Sequence, residues 1–410
     1  MVTKRWSRKM TTSSEAGHPP LILHVAPHFR PAYAFGGPPA MSSLMTSALA
    51  AEEYRIVVWT TNVADQTGRR LPSGSQLEDG VTVNRYSYLS KPAFRFSNIL
   101  ITPGMTRDSL IGDLRPSLVH LHDFRSLQAI SAYTLALRRH RPLLLQPRGT
   151  LGIMGKKRVK QVYDRTIGRR LLEYAYRVLA LTPEEANAFL SWGVPESKVT
   201  VVPNGIPIPT PTIHNRRGAF RKRFGIDNGS FMILFMGGLR ESKGVRLLLD
   251  AFEHFSIANR NATLVFCGAD EGMAQWISEQ SKKKGLHVIT PGFLTGDTKT
   301  EALIDSDVFC LPSFGEAQSI ALLEAASFGL PIVASKVGAP SSFAELNAGI
   351  FVELDPIEIA GALAQLANSE NGRRELGRKA RKLVADRYSL ESTLTLLRDL
   401  YRETLQSWDN

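Results

Sequence analysis

The chain has 410 residues, of which 43% are hydrophobic and 21% charged, a globular composition at a length that predicts two domains. No apolar run reaches the roughly 18 residues of a membrane-spanning helix, and two cysteines, Cys267 and Cys310, argue against a disulfide framework or a thiolate zinc site. The net charge is +12, and residues 1–205 hold 27 Lys and Arg against 14 Asp and Glu, whereas residues 206–410 hold 23 against 24, so the first half is expected to face an anionic partner.

Residues 1–20 are basic and lack the apolar core of a signal peptide, so we expect a flexible tail on a protein of the reducing cytoplasm. Short apolar segments then alternate with helical patterns. Strands of an N-terminal domain, residues 21–203, are predicted at 21–27, 55–62, 118–122, 142–147, 178–182 and 199–203.

Two short motifs of this domain are of interest. Gly36 and Gly37 directly precede a predicted helix, where backbone can approach a phosphate. The strand LVHLH (118–122) places His120 and His122 on one face. Two histidines suggest metal ligands, but a third ligand is not evident nearby, so we expect no metal.

Residues 156–178 have apolar residues at helical spacing, at 159, 163, 167, 171, 175 and 178. Arg158, Arg165 and Arg169 lie on the opposite face. Either the apolar stripe packs on the sheet and the arginines are solvated, or the basic face touches an anionic membrane. We expect both: a buried stripe, and a basic face that attaches reversibly to the inner face of the cytoplasmic membrane.

Residues 204–215, rich in Pro and Thr, predict an interdomain linker. A C-terminal domain, residues 216–385, follows with strands predicted at 231–238, 262–269, 286–292, 307–313 and 331–335, and residues 386–410 are expected to form a helix that crosses back. The alternation predicts an α/β protein of two doubly wound domains facing across a cleft, with ligands at the carboxyl ends of the strands.

Two glutamates of the C-terminal domain lie eight residues apart, Glu316 in a loop and Glu324 inside an otherwise apolar helix. Ser319 is the predicted N-cap, which would leave the N–H groups of Ile320 to Leu322 unpaired as an anion site between the carboxylates. A nucleotide sugar has the matching order of sugar, diphosphate and ribose. In the alternative, Glu324 reaches solvent or pairs with an arginine. Lys243, in a glycine turn between strand and helix, would contact the diphosphate or be solvated.

Together these motifs resemble the glycosyltransferases of family 4, which have the GT-B fold and retain anomeric configuration. The matching segments are Gly36-Gly37, LVHLH, VVPNG (201–205), GLRESKG (238–244) and Glu316…Glu324 followed by GLPIVAS (329–335). They occur in the family's order and cover nearly all of residues 21–405.

The resemblance implies roles for individual residues. Glu316 would hold the donor sugar and Glu324 the ribose, while Lys243 would neutralise the diphosphate. The catalytic set would be His122, Glu316 and Lys243, and the donor-binding set would be Gly36, Gly37, Gly238, Arg240, Lys243, Phe293, Glu316, Ser319, Ile320 and Glu324.

The chain departs from the family pattern at three places. Gly238 stands where the family has an arginine, with Arg240 as the nearest replacement. The loop reads EAQS instead of a glycine-rich sequence, and Pro207 replaces an expected aspartate. Asp305 and Asp307 resemble the metal-binding pair of the other glycosyltransferase fold, but they precede a strand, and we interpret them as a cap.

The resemblance implies a metal-independent hexosyltransferase without a cofactor other than its nucleotide-diphosphate sugar co-substrate. The acceptor would be a saccharide or a lipid-linked saccharide of cell-surface polysaccharide synthesis, and no nucleic acid partner is expected. Two alternatives stay open. One is a sugar-nucleotide epimerase or hydrolase that uses His120, His122 and Asp123 as acid and base, and the other is a non-catalytic nucleotide-sugar-binding protein.

Overall fold

A computed structural model describes residues 19–51, 54–89, 100–150, 161–210 and 216–408. Apart from its last two residues, the predicted N-terminal tail lies outside the described part of the chain. The described part folds into two sheets with helices between their strands, one sheet in each half of the chain.

The N-terminal sheet has the strand order β3-β4-β2-β1-β5-β6-β7-β8 and is parallel except for the β3–β4 hairpin. Its domain comprises β1 (Leu21–Val25), α1 (Gly37–Ala50), β2 (Arg55–Thr61), β3 (Gly74–Glu78), β4 (Val81–Tyr86), α2 (Pro103–Ile111), β5 (Leu118–Leu121), α3 (Leu127–Arg139), β6 (Leu143–Leu145), α4 (Arg169–Tyr174), β7 (Arg177–Ala180), α5 (Pro183–Ser191) and β8 (Val199–Val201). All six predicted strands are present, and the hairpin is additional.

The C-terminal sheet is parallel throughout, in the order β11-β10-β9-β12-β13-β14. The elements of this half are α6 (Ala219–Phe224), β9 (Phe231–Met236), α7 (Val245–Ala258), β10 (Ala262–Cys267), α8 (Ala274–Lys284), β11 (Val288–Gly292), α9 (Gly296–Asp305), β12 (Val308–Leu311), α10 (Ile320–Ser327), β13 (Ile332–Ser335), α11 (Ser341–Glu345), β14 (Ile350–Val352), α12 (Pro356–Ala367), α13 (Glu370–Arg387) and α14 (Leu390–Trp408). The prediction of two doubly wound α/β domains is confirmed.

The last helix packs on the N-terminal domain. Leu397 and Tyr401 of α14 are fully buried in one cluster with Ile22 of β1 and Met45 of α1. The chain therefore crosses between the domains twice, and the two crossings are bonded to each other. Ile206 N–H donates to the Tyr388 carbonyl at 2.7 Å, and Leu390 N–H donates to the Ile206 carbonyl at 2.9 Å.

The predicted basic helix differs from the structure in two respects. Residues 156–160 lie outside the described part, and the helix ends at Tyr174, so Val178 belongs to β7 rather than to the stripe. Between Asp164 and Gly168 the helix takes a π conformation. Leu171 and Ala175 are buried in the core under the sheet, whereas Arg165, Arg169 and Arg170 are exposed. Among the described helices, none has the length and apolar character needed to cross a bilayer.

The aspartate pair at the start of β12 organises α6. Asp305 Oδ1 accepts a hydrogen bond from Gly218 N–H, and Asp307 Oδ2 accepts from Arg221 Nη2 at 2.9 Å and from Met232 N–H at 2.8 Å. Both carboxylates are thus engaged by the protein at the amino end of the strand, away from the carboxyl edge where ligands bind in such sheets.

Candidate active site

Both sheets have their topological switch point at the edge where the candidate residues lie. In the N-terminal sheet β1 is flanked by β2 and β5, and in the C-terminal sheet β9 is flanked by β10 and β12. Successive connections leave to opposite sides at such points, and a crevice opens beyond the carboxyl ends of the strands. The helices that follow β1 and β12 are α1 and α10.

The first residues of α1 and α10 touch across this crevice. A Cβ on Gly37 would lie 2.4 Å from Cδ1 of Ile320, so only glycine leaves room for the Ile320 side chain in its present position. Gly36 precedes it with φ +90° and caps α1. Pro38 and Pro39 lack N–H groups, so this helix end offers fewer donors to an anion than that of α10.

Ser319 is the N-cap of α10, and its hydroxyl accepts a hydrogen bond from Leu322 N–H at 3.3 Å. The prediction that the N–H groups of Ile320 to Leu322 are all unpaired is therefore wrong for Leu322, because the cap that makes the helix begin there uses that donor.

Lys243 and Glu316 meet directly. Lys243 ends a short 3-10 turn after β9, Glu316 lies in the loop after β12, and Lys243 Nζ is 2.5 Å from Glu316 Oε1. Their side chains are 18% and 11% exposed, so this ion pair is largely shielded from water. A cation and a carboxylate that neutralise each other keep both charged groups at the crevice without leaving an unpaired buried charge.

Glu324 has a lysine partner that the sequence did not reveal. Lys299 of α9 places Nζ 2.5 Å from Glu324 Oε1, and the Glu324 side chain is 23% exposed. The glutamate inside the apolar helix is thus neither fully buried nor alone. The alternative prediction for Glu324, an ion pair, named an arginine as the partner rather than a lysine. The residue spacing within one helix cannot reveal a partner that lies on another helix.

Arg240 is directed to Glu271 rather than to the Lys243–Glu316 pair. Arg240 Nη1 lies 3.1 Å from Glu271 Oε2, and the Arg240 side chain is 47% exposed. A Cβ on Gly238 would lie 1.9 Å from Glu271 Oε1, so Glu271 fills the space beside Gly238. Phe293, which follows β11 at the same edge of the sheet, has an exposed side chain.

The loop that departs from the family pattern joins the two domains. Gln318 is buried, its Oε1 accepts from Asn204 N–H at 2.7 Å and its Nε2 donates to the Leu181 carbonyl at 3.2 Å. Ala317 lies against Gly149, where an added Cβ would be 2.5 Å from the Ala317 Cβ. Gln318 and Ala317 of this loop therefore contact residues of the N-terminal domain.

The structure adds a third histidine to the predicted pair. His24 of β1 is in register with His120 on β5, and ligand-type atoms of His24, His120 and His122 all lie within 4.8 Å of one another. A single histidine within an apolar strand looks like an ordinary buried residue, so the sequence alone did not indicate that His24 belongs to this cluster. His24 Nδ1 and His122 Nε2 are 2.8 Å apart, and Tyr401 Oη is 2.6 Å from His120 Nδ1.

Hydrogen bonds engage most of the nitrogens in this cluster, whereas His120 Nε2 is buried without a partner in the described part of the chain. The rings of His120 and His122 stack at a centroid distance of 4.1 Å, which directs their in-plane lone pairs past each other. Arg148 Nη2 lies 3.2 Å from His122 Nδ1 and places a positive charge beside the cluster. Both nitrogens of His122 are thus engaged, so its side chain has no free nitrogen for a sugar.

Two family models match the chain in succession. The model "Glycosyl transferase 4-like domain" matches residues 36–205, and the model "Glycosyl transferases group 1" matches residues 216–383. The boundary between them falls within the predicted linker, residues 204–215. Together the two models cover more than half of the chain, which belongs to the glycosyl transferases.

Relatives of this transferase are distant. An uncharacterized glycosyltransferase of Methanocaldococcus jannaschii is 29% identical over 52% of the chain and 56% of the relative. A D-inositol 3-phosphate glycosyltransferase of Corynebacterium efficiens is 23% identical over 93% of the chain and 94% of the relative. For the first curated relatives, the match spans only about half of their length.

Solved structures of similar fold include the Anabaena protein HepE in complex with UDP and glucose. It superposes with a TM-score of 0.73 over 94% of this chain and 100% of that one, at 17% identity. The GT-B fold of the transferase follows from this likeness.

The histidine cluster predicts a loss of stability in mild acid. Burial, and secondarily the charge of Arg148, lowers the pKa of His24 from 6.5 to about 3, so the folded protein keeps it neutral while the unfolded chain takes up a proton below pH 6.5. When the pH falls from 7.5 to 5.5, protonation of this one group in the unfolded chain should lower the free energy of unfolding by about 1.4 kcal/mol. Urea unfolding at the two pH values measures the difference.

His24→Asn should shrink that pH difference, whereas the exposed His254→Asn should keep it at the wild-type size. The interpretation fails if His24→Asn loses as much stability on acidification as the wild type does.

Proposed function

We propose that this chain transfers a sugar from a nucleoside-diphosphate sugar to a hydroxyl group of a saccharide or lipid-linked saccharide. The observation that carries the proposal is the meeting of the first residues of α1 and α10, Gly37 and Ile320, at the switch points of both sheets. Helix N-termini present N–H groups and a positive dipole end, which together suit a diphosphate.

The two ion pairs supply groups for the rest of the donor. The Lys243 ammonium has three donor hydrogens, so it can keep Glu316 and also bind a phosphate oxygen. Glu316 has further lone pairs for sugar hydroxyls. In the same way, Glu324 accepts from the ribose hydroxyls while Lys299 holds it in place.

The reaction we infer retains the configuration at the anomeric carbon. The bond from that carbon to the phosphate oxygen breaks, the acceptor oxygen bonds to the carbon on the same face, and the acceptor proton passes to the departing phosphate. Lys243 and the α10 N-terminus stabilise the charge that develops on the leaving group. This chemistry needs neither a protein base nor a metal, and the engagement of both His122 nitrogens supports the first point.

UDP-glucose is the first donor to test, because the Anabaena structure contains UDP and glucose. The name of the C. efficiens relative suggests phosphorylated cyclitols beside saccharides as acceptors.

The epimerase or hydrolase alternative has less support. It needs free acid and base groups at the crevice, and the side chains of His120 and His122 are buried and bonded to their neighbours. Asp123 remains as a carboxyl whose pKa is raised by burial, but one such group serves only one side of a sugar ring.

A nucleotide screen tests the proposed function. UDP, GDP, ADP and their hexose conjugates should be compared by thermal unfolding, and a ligand present at 100 times its Kd should stabilise the protein by about 2.7 kcal/mol. We expect one nucleotide and its sugars to stand out. No shift with any of them would contradict the proposal. Hydrolysis or epimerisation without acceptor would favour the alternative enzyme, and binding without turnover a non-catalytic protein.

The two glutamates should separate in binding experiments with that nucleotide. Glu324→Gln should weaken the nucleoside diphosphate and its sugar conjugate equally, by roughly 1.5–3 kcal/mol, since a charged hydrogen bond to the ribose is lost. Glu316→Gln should weaken only the sugar conjugate, because Glu316 accepts from the sugar hydroxyls, and should spare the free diphosphate, because Lys243 remains to bind it. Calorimetric titration measures both.

Glu279→Gln, on an exposed face of α8, is the matched control and should bind both ligands as the wild type does. Equal losses of the free diphosphate in both site variants would show that the roles are not divided in this way.

We also propose peripheral attachment to an anionic membrane through the exposed arginines of residues 161–174. The structure buries the apolar stripe of this segment, so the contact would be electrostatic through Arg165, Arg169 and Arg170. The rings of Tyr133 and Tyr174 pack at 5.5 Å, which sets α3, with Arg138 and the exposed Leu137, beside this segment.

Vesicle sedimentation tests this attachment. Each basic group near an anionic surface contributes about 1 kcal/mol, so Arg165→Glu with Arg169→Glu should lower partitioning by roughly 30-fold or more, and salt should do likewise. Arg374→Glu with Arg378→Glu, an equal charge change on exposed residues of α13, is the control. Equal binding to neutral and anionic vesicles would contradict an electrostatic contact.

A further inference from the structure

Arg148 is a partly buried cation whose close partners among the described residues are neutral. It follows β6, and its guanidinium donates to Asn204 Oδ1 at 2.8 Å, approaches His122 Nδ1 at 3.2 Å and lies 3.7 Å from the sulfur of Met45. Among the residues that the structure describes, no carboxylate oxygen lies within the 4.0 Å of an ion pair with it. All of its close polar partners are therefore neutral.

Three arginines with largely buried side chains have a carboxylate partner instead. Arg221 lies 2.9 Å from Asp307, Arg125 lies 2.7 Å from Asp164, and Arg85 is bonded to Glu78. The charge of Glu185 acts on Arg148 from a distance. The two oxygens of Glu185 are already engaged, because they accept from Gly149 N–H and Leu181 N–H, each at 2.7 Å. A charge partly removed from water and left without an opposite charge is costly, so the Arg148 site favours an anion.

The histidine cluster holds the guanidinium in place. Arginine can only donate, so His122 must accept at Nδ1 and carry its hydrogen on Nε2, which donates to His24 Nδ1. His24 Nε2 in turn faces Tyr401 Oη at 3.5 Å, and the Tyr401 hydroxyl donates to His120 Nδ1. Each member fixes the tautomer of the next, and none adds a negative charge.

Backbone geometry brings Arg148 to the junction of the domains. Arg148 has φ +52° and Gly149 has φ +80°, both in the left-handed region. Such a conformation is strained for arginine and recurs at functional sites. The turn sets Gly149 against Ala317 of the Glu316 loop, and Asn204, which bonds Arg148, is itself bonded through its N–H to Gln318.

We propose that Arg148 binds a phosphate group of a ligand held between the domains, an inference that rests on the proposed function. A guanidinium offers parallel N–H donors that match a phosphate. The phosphate can come from the diphosphate of the donor or from a phosphorylated acceptor. Arg148 would then stand in for the arginine that is absent at Gly238, from the other side of the crevice.

Calorimetric titration of Arg148→Gln and Arg148→Lys tests the inference. The probes are UDP, GDP and ADP, each beside its nucleoside, and glucose 6-phosphate beside glucose. We expect Arg148→Gln to weaken phosphorylated probes about 10- to 100-fold and to leave the unphosphorylated ones unchanged, with Arg148→Lys in between. Loss confined to the nucleotides assigns the phosphate to the donor, and loss confined to glucose 6-phosphate assigns it to the acceptor.

Asn204→Asp provides a variant that does not remove the arginine. It places a carboxylate 2.8 Å from the guanidinium, which should preserve folding and yet weaken phosphorylated probes about tenfold or more by competing for Arg148. Arg374→Gln, an equal loss of charge on the surface of α13, should bind every probe as the wild type does.

The outcomes separate the two ideas. If the wild type binds none of the nucleotides, the proposed function fails and the inference with it. If the wild type binds phosphorylated probes and both Arg148→Gln and Asn204→Asp bind them equally well, Arg148 has a structural role only and the inference alone is overturned.

Discussion

Parallel strand pairing is the constraint on which the rest of this molecule depends. Because the strands of each sheet run in one direction, apart from β3, their carboxyl ends share one edge, and most connections return by a helix that begins there. The two sheets turn these edges to a common crevice, where Gly37 meets Ile320 and Lys243 meets Glu316. Gly37 and Ile320, more than 200 positions apart in the chain, become neighbours in this way.

The lysines and glutamates at the crevice form ion pairs that are neutral overall. Lys243 with Glu316 and Lys299 with Glu324 are cross-element pairs of one cation and one anion. A ligand that carries both phosphates and hydroxyls can engage each pair from both sides, which makes the pairs part of binding rather than obstacles to it. Arg148 differs because its partners are neutral, and this contrast sets the N-terminal wall of the crevice apart from the C-terminal wall.

Much of the fold was predictable because buried parallel strands are continuous apolar segments. The strands that sequence missed are β3, β4 and β14. β3 is an exposed polar edge strand, GSQLE, that gains its hydrogen bonds only from β4, and β14 has three residues. The strand character of β3 and β14 comes from pairing partners, which local patterns do not contain. β4, VTVNRY, does show local alternation of buried and less buried positions, and sequence analysis overlooked it. Of the residues singled out by motif, Lys243 and Glu316 are in contact, whereas Glu324 is paired with Lys299.

The partners of those residues were not predictable. Lys299, His24 and Tyr401 each contact a residue of another element. His24 lies beside His120 only because of the register between β1 and β5.

The position of α14 has a consequence for the order in which the protein can form. Tyr401 and Leu397 complete a core whose other members, such as Ile22 and Val58, are among the first to leave the ribosome. The tyrosine–histidine contact spans 281 positions of the chain. During synthesis the strands of the C-terminal sheet can therefore pair while one face of the N-terminal sheet is not yet covered by α14. The half of the molecule made first is thus the last to be finished, and chaperones would find their apolar target there.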